Sequence, residues 1–204
     1  MQDEGVILFN CHWQEGPLPS GMDLSDLLAV RNRLFELGLI GFDQAEQVGY
    51  GNISKRANDG NFIISGTQTG HIPVMDDTQL SYVTDVDIVQ NTLYCTGPAK
   101  ASSESLTHAA IYNQFADAHA VIHVHHHQLW LHLMNQVPTT MANIGYGTTA
   151  MAGEIARLAA QHHLEKEKIL VMSGHQDGII CFGANLANAY DLLLQHYQPL
   201  LAKK

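Results

Sequence analysis

Residues 120–125 read Ala-Val-Ile-His-Val-His, an apolar run that carries two histidines and predicts a central β-strand. Because side chains on a strand alternate between faces, His123 and His125 point to one side of the sheet and Val124 to the other. Two imidazoles on one face can bind one metal ion at about 2.0–2.1 Å each. The alternative is that they are polar residues at a sheet edge, bonded to the backbone. The two histidines that follow are expected to turn away into the next helix.

A third metal ligand is needed from elsewhere in the chain, and His175 is the best candidate. It lies in Ser173-Gly174-His175-Gln176-Asp177-Gly178, directly after an apolar run that predicts another strand. A glycine-rich strand end is a usual place to present a functional side chain. A turn histidine bonded to the backbone is the alternative interpretation.

Short apolar runs alternate with turn signals along the chain, and this pattern predicts an α/β fold with one mixed sheet and a helical cover. Strands are predicted at 62–64, 93–95, 120–125, 168–172 and 178–182, with 6–9 as a short arm strand. Helices are predicted at 24–35, ending at Gly38, and at 104–115, 127–135, 149–162 and 185–197. Thr148 or Thr149 and Asn185 are the expected caps of the last two helices. We expect a single domain over residues 1–204.

Composition excludes several classes of protein. The 204 residues contain no stretch near the roughly 20 apolar residues that a membrane helix needs. The first residues do not have the pattern of a signal peptide, so we expect a cytoplasmic protein without a membrane partner. Three widely spaced cysteines argue against a disulfide framework. A net charge of −10 disfavours nucleic acid as a partner.

The segment Lys100-Ala101-Ser102-Ser103-Glu104 precedes a predicted helix. Ser102 or Ser103 can cap it, and the free N–H groups with the two hydroxyls form a ready anion site. Glu104 would lie in the first turn, where the helix dipole favours its ionised form and suits it to bind a metal or act as a base. An ordinary cap and an ordinary helix-start glutamate are the alternatives. His108 shares a helix face with Glu104 and can orient Glu104 or a ligand, or lie in the core.

Two glycine-flanked loops can bring backbone close to a ligand. The first is Gly49-Tyr50-Gly51-Asn52-Ile53-Ser54, in which the Asn52 amide can donate to an anion. The second is Ser65-Gly66-Thr67-Gln68-Thr69-Gly70. Either loop taken alone is more often a generic turn. No Gly-Lys-Ser/Thr follows, so neither is a nucleotide P-loop.

These motifs occur in an order that resembles the class II aldolase/adducin family over roughly residues 24–197. This family includes fuculose- and rhamnulose-phosphate aldolases, ribulose-phosphate 4-epimerase and methylthioribulose-phosphate dehydratase. Further matches are Asp117-Ala118-His119-Ala120-Val121 and Gly145-Tyr146-Gly147-Thr148. The resemblance implies a three-layer αβα fold with a largely antiparallel sheet, assembled as a homotetramer with sites at subunit interfaces.

The resemblance also implies roles for individual residues. It makes His123, His125 and His175 the ligands of a divalent metal, and Glu104 the acidic residue that binds the resting metal and exchanges protons during turnover. The phosphate binders that it implies are Asn52, Ser102, Ser103, Thr69 and Gly70, with Ser65-Gly66 as a rival to the Thr69-Gly70 pair.

The chain departs from the family pattern in two places. Gln176 and Asp177 intervene between His175 and the glycine that often follows the third histidine directly, which makes Asp177 an extra polar candidate. The 65–70 loop is about two residues longer than usual. No catalytic tyrosine is assigned near the C-terminus, where Tyr190 and Tyr197 are the late candidates.

The expected function is a metal-dependent lyase of the aldolase type that acts on a small ketose or ketose phosphate through a metal-stabilised enediolate. Dehydration and epimerisation use the same intermediate and remain alternatives. A non-catalytic, adducin-like interaction module is the alternative from another class. Imidazole ligation suits Zn²⁺ first, with Mn²⁺, Fe²⁺, Co²⁺ and Ni²⁺ as alternatives. A zinc hydrolase is disfavoured because no His-Glu-X-X-His motif is present.

Overall fold

The computed structural model describes residues 5–161 and 163–201. Its strands are β1 Asn10–Glu15, β2 Gly41–Asp43, β3 Val48–Tyr50, β4 Asn52–Arg56, β5 Phe62–Ser65, β6 Leu80–Asp87, β7 Thr92–Gly97, β8 Ala120–His125, β9 Ile169–Val171 and β10 Gly178–Gly183. Its helices are α1 Ser25–Glu36, α2 Ser105–Gln114, α3 His127–Leu133, α4 Thr149–Ala160, α5 His163–Glu167 and α6 Leu186–Leu201. A short 3₁₀ helix spans Asp77–Gln79.

Eight of these strands form one sheet in the order β1-β7-β6-β5-β4-β8-β10-β9, and β2 pairs with β3 in a separate ribbon. Among the described strands, only β1 and β7 pair in parallel. The strand β8 lies between β4 and β10 and pairs antiparallel with both. The predicted mixed, largely antiparallel sheet is confirmed.

The alternation of side chains along β8 divides the interior into two cores. Val121 packs into the first core with residues of α2, α4 and α5. Ile122 and Val124 pack into the second core with residues of α1, α3 and α6. One helical layer therefore covers each face of the sheet, which confirms the three-layer αβα architecture.

Most predicted elements are found within a few residues of their expected bounds. Helix α1 ends where Gly38, at φ +69°, donates its N–H to the carbonyl of Phe35. Thr148 caps α4 by accepting the N–H of Met151, and Asn185 accepts the N–H of Asn188 in the same way. The predicted helix 149–162 is shorter, ending at Ala160, and residue 162 lies outside the described residues. The arm strand predicted at 6–9 is wrong, because the strand begins only at Asn10.

Strands β4 and β6, the short strands β2 and β3, and helix α5 were not predicted. Residues 49–54, predicted as a glycine-flanked loop, lie mostly in β3 and β4, with Gly51 between them. No helix within the described residues is long and apolar enough to cross a membrane.

A buried arginine holds the segment that follows β5. Arg31 on α1 is only 1% exposed and donates to the backbone carbonyls of Thr69 (2.9 Å), Pro73 (3.4 Å) and Ile72. Burial lowers the pKa of Arg31 to about 10, so the guanidinium stays charged at neutral pH. These hydrogen bonds attach the irregular loop after β5 to helix α1.

We expect Arg31→Met to lower the free energy of unfolding by about 1–3 kcal/mol, because buried carbonyl oxygens lose their donor. Arg33→Met is the matched control on the same helix, since Arg33 is exposed and pairs with Glu36 at the surface. Urea denaturation of both variants makes the comparison. Equal stability of the two variants would contradict the role given to Arg31.

Candidate metal centre and substrate cleft

The two histidines of β8 emerge on the face that carries the first core. The Nε2 atoms of His123 and His125 lie 3.0 Å apart. The ring nitrogen Nδ1 of His123 is 3.2 Å from the carbonyl oxygen of Ile179, which can only accept, so Nδ1 carries the proton. The Nε2 lone pair of His123 is therefore directed at the neighbouring imidazole, the arrangement typical of metal ligands.

The third histidine joins the first two from the turn between β9 and β10. His175 donates its backbone N–H to the carbonyl of Met172, and its own carbonyl accepts the N–H of Gly178. Its Nε2 lies 3.0 Å from that of His125. A Cβ atom at position 178 would lie 2.7 Å from Cδ2 of His175, so this glycine leaves room for the ring. The structure thus brings His123, His125 and His175 together, with their ligand atoms within 4.8 Å of one another.

The two residues between His175 and Gly178 form the turn that presents the third histidine. Asp177 adopts φ +66°, its carbonyl accepts the N–H of His126, and its carboxylate lies 2.8 Å from Nδ1 of His127. The His126 ring caps α3 by accepting the N–H of Leu129. Both histidines turn away from the cluster as expected, whereas Asp177 pairs with His127 instead of adding a polar group to the cluster.

The carboxylate of Glu104 lies beside the three rings. Its Oε1 is 3.4 Å from Nε2 of His175 and 3.7 Å from Nε2 of His123. Glu104 is 3% exposed and occupies the N-cap position of α2, one residue before the expected first turn. Its side chain makes no capping bond, which leaves the carboxylate in the cleft.

The serine cap predicted for α2 is wrong. Ser102 Oγ accepts the N–H of Glu104, and the hydroxyl of Ser105 donates to the carbonyl of Ser102 at 2.7 Å. These bonds shape the chain before the helix. Ser102 and Ser103 are 4% and 6% exposed and line the cleft together with Glu104.

Burial keeps the three imidazoles neutral. It lowers the pKa of His123 to about 4, and it holds the pKa values of His125 and His175 well below the usual range, with neighbouring histidines adding to the effect. Neutral imidazoles are the form that binds metals. Nitrogens bound at 2.0–2.1 Å to a tetrahedral ion lie about 3.3 Å apart, close to the two 3.0 Å separations here. The donor set fits a divalent metal ion.

The cluster lines a cleft whose other lining residues come mostly from the segments singled out in the sequence. Asn52 pairs directly with His123 across β4 and β8, so both side chains share one face. Asn52 is 6% exposed, and its Oδ1 has no hydrogen-bond partner among the described residues. An unsatisfied amide that faces a cleft indicates a ligand that supplies the missing bond.

The second loop contributes residues 66–70 to the cleft wall. The Thr69 hydroxyl donates to the carbonyl of Gly66, and a Cβ atom on Gly70 would lie 2.1 Å from the carbonyl oxygen of Gly41. The rival residue Ser65 accepts the N–H of Ile53 through its hydroxyl and does not line the cleft. Both members of the Thr69-Gly70 pair therefore line the cleft, whereas only Gly66 of the rival pair does.

His108 is fully buried behind the cleft. Its Nδ1 is 2.7 Å from the hydroxyl of Ser54, which in turn is 2.7 Å from the hydroxyl of Tyr112. Burial holds the pKa of His108 well below its usual value. His108 thus links α2 to β4 beneath Asn52.

The sequence analysis missed two aromatic walls of the cleft. The Tyr50 ring lies 5.5 Å from that of His125, and the Tyr146 ring lies 4.7 Å from that of His175. Both tyrosines are the middle residue of a Gly-Tyr-Gly motif, which is the signal that could have found them. Gly5, Thr67 and Gln68 also line the cleft without having been predicted.

Comparison with known proteins gives one family. The sequence model described as the Class II Aldolase and Adducin N-terminal domain matches residues 32–197. No curated protein matches the sequence.

Several solved structures share the fold. The l-fuculose-1-phosphate aldolase from Thermus thermophilus is 22% identical with a TM-score of 0.61, over 88% of this chain and 92% of that one. A sugar-phosphate aldolase from Thermotoga maritima is 18% identical with a TM-score of 0.63, over 87% and 92%. Another l-fuculose 1-phosphate aldolase is 19% identical with a TM-score of 0.64, over 91% and 90%. At these identities the likeness establishes the fold alone.

We expect the purified protein to retain about one divalent ion per chain. His123→Ala or His125→Ala should lose this ion, because only two of the three imidazole ligands remain. Elemental analysis after dialysis measures the ratio. His127→Ala is the matched control, since this ring is exposed and bonds Asp177. Metal that is retained equally by all variants would show that the ion binds elsewhere.

Proposed function

The chain belongs to the class II aldolase and adducin family, and on that premise we propose that it is a metal-dependent lyase of the aldolase type. The substrate is a small ketose or ketose phosphate. The observation that carries this proposal is the convergence of three neutral imidazole Nε2 atoms beside the buried carboxylate of Glu104.

We assign His123, His125 and His175 as the ligands of a divalent ion, with Glu104 as a further ligand in the resting state. A bound divalent ion would supply Lewis-acid stabilisation of the negative charge that develops on the oxygens of a hydroxy-ketone. Zn²⁺ is our first choice because the ligands are imidazoles, with Mn²⁺, Fe²⁺, Co²⁺ and Ni²⁺ as alternatives.

Glu104 acts as the proton carrier in this proposal. Its Oε1 lies within 3.7 Å of two of the three Nε2 atoms, so a substrate atom held at the cluster lies within its reach. The carboxylate takes the proton from, or returns it to, the reacting carbon or its hydroxyl group. The buried position of Glu104 excludes competing water from this exchange.

We propose that a second part of the cleft lining binds the phosphate. The proposed binders are Asn52, Ser102, Ser103, Thr69 and Gly70, all of which line the cleft. A phosphate bound there anchors the substrate away from the reacting carbons and orients it toward Glu104. His108 supports this arrangement from behind, through its bond to Ser54.

Dehydration and epimerisation of a sugar phosphate are the alternatives on the same site, since each also begins with charge on the ketose oxygens. The adducin-like interaction module has less support, because a non-catalytic chain has no need of three buried neutral histidines next to a carboxylate. We also propose a cytoplasmic protein and, as the family resemblance implies, a homotetramer. Sedimentation analysis tests the tetramer.

The deciding experiment is a screen of ketose 1-phosphates and free ketoses for aldehyde release, in the presence of each candidate metal and of a chelator. Metal-dependent release of an aldehyde supports the aldolase. Metal-dependent loss of water or inversion at a carbon supports the alternatives. A metal-loaded protein that turns over none of these sugars would overturn the proposal.

We expect Glu104→Gln to lower kcat by about 10²–10⁴-fold, because the amide keeps the shape of the side chain but cannot carry the proton. The circular dichroism spectrum should remain unchanged. Glu46→Gln removes an exposed charge on a loop and serves as the control. Equal kcat for the two variants would exclude Glu104 as the proton carrier.

We expect Ser103→Ala to raise KM for a phosphorylated ketose by about tenfold or more, through the loss of one hydrogen bond to a charged group. The KM for the corresponding free ketose should change much less. Thr78→Ala, an exposed hydroxyl on the 3₁₀ helix, is the control. A similar change of KM for both sugars would mean that Ser103 does not contact the phosphate.

A further inference from the structure

The N-terminal arm, residues 5–9, lies before the stretch that the family model matches, and its residue Gly5 lines the cleft. It is anchored at its C-terminal end. Phe9 is 7% exposed and packs in the first core, and Asn91 donates its side-chain amide to the carbonyl of Leu8 at 2.9 Å. Strand β1 then continues the arm along β7. One end of the arm is therefore held by the body of the protein.

The other end of the arm is held by the hydroxyl of Tyr146. This oxygen accepts the N–H of Val6 at 3.2 Å and lies 3.3 Å from the carbonyl oxygen of Val6, to which it donates. The ring of Tyr146 packs against His175 at a centroid distance of 4.7 Å. The side chain of Tyr146 thus links the arm to the histidine cluster.

Gln68 makes the second connection to the arm. Its Nε2 donates to the carbonyl of Gly5 at 3.3 Å, and its Oε1 accepts the N–H of Gly49 at 3.3 Å. The Thr67 hydroxyl reaches the same carbonyl of Gly5 at 3.5 Å. Three segments of the cleft wall therefore meet at Gln68, a residue of the loop that is longer than the family pattern.

Gly5 fits tightly against these segments. It adopts φ +76°, and a Cβ atom there would lie 2.3 Å from Nε2 of Gln68 and 2.7 Å from Cγ2 of Val48. Gly5 is therefore in close contact with Gln68 and Val48, with no gap between them. Gly5 is the residue of the arm that lines the cleft, together with the three histidines and Glu104.

We propose that the N-terminal arm closes one side of this cleft at Gly5 and thereby determines substrate specificity. Tyr146 and Gln68 are the positioning residues that hold the arm there. The arm limits how far a substrate bound at the histidine cluster extends, and it restricts the site to short substrates. This inference rests on the proposed function for the nature of the ligand, but the attachment of the arm is independent of that function.

The attachment is tested first, without added metal, by hydrogen–deuterium exchange of the peptide that contains residues 5–9. Tyr146→Phe keeps the ring against His175 and removes only the hydroxyl. We expect exchange in this peptide to become about tenfold faster, because the Val6 N–H loses its acceptor. Tyr190→Phe is the matched control and should not change it, because Tyr190 lies on α6 and packs against the second core. Unchanged exchange in Tyr146→Phe would overturn the role of Tyr146.

The specificity is tested with straight-chain hydroxamates, which chelate divalent ions and carry a tail of chosen length. The zinc-loaded full chain is titrated with acetohydroxamate, butyrohydroxamate, hexanohydroxamate and octanohydroxamate. In the unmodified protein we expect affinity to fall as the tail lengthens. In Gln68→Ala and Tyr146→Phe the ratio of octanohydroxamate to acetohydroxamate affinity should rise by about tenfold, because the arm moves aside.

The two hypotheses fail in different ways. If acetohydroxamate does not bind the zinc-loaded protein, the metal centre and with it the proposed function are wrong. If acetohydroxamate binds and the affinity ratio is the same in the unmodified protein, the two variants and Tyr190→Phe, the arm does not limit the substrate.

Discussion

The antiparallel register of β8 between β4 and β10 is the constraint on which the rest of the site depends. Because β8 is paired on both edges, its side chains alternate strictly between two covered faces. One face needs apolar residues to fill the second core, and Ile122 and Val124 supply them. His123 and His125, which alternate with them, are therefore directed at the other face. A shift of one residue would bury the imidazoles in the second core and expose the apolar residues to the cleft.

Glycines next to the cluster make the close packing possible. Gly178 lies opposite His125 on β10 and leaves the space that the His175 ring occupies. Gly147, at φ +60°, lies where a Cβ atom would be 2.3 Å from the carbonyl oxygen of Ser103. Both positions exclude any side chain because backbone or ring atoms already fill the volume. The shape of the cleft therefore depends on glycine at these two positions as well as on the side chains that line it.

Burial and function are linked through the charges of the site. Desolvation lowers the pKa values of the three histidines, so that a neutral cluster faces the carboxylate of Glu104. Three protonated imidazoles would repel one another and could not bind a cation. The same burial that keeps the rings neutral also strengthens the electrostatic effect of any ion they bind. The fold therefore places three uncharged nitrogen donors beside one carboxylate, an arrangement that is compatible with binding of a divalent cation.

The sequence by itself determined the fold class, the central strand, and the candidate ligands His123, His125 and His175, because each depends on local periodicity or on a motif of fixed spacing. It also indicated Glu104 and Asn52, for which the resemblance to the family implied roles. Only the tertiary structure showed that Thr69 and Gly70 line the cleft whereas Ser65 does not, and that Asp177 pairs with His127, because both outcomes depend on contacts between distant segments. The contacts that join Tyr146, Gln68 and the N-terminal arm at the cleft were likewise not predicted, although Tyr146 lies in a Gly-Tyr-Gly motif that the sequence shows. Their hydrogen bonds join residues that are from 19 to 140 positions apart, and no local pattern encodes such separations.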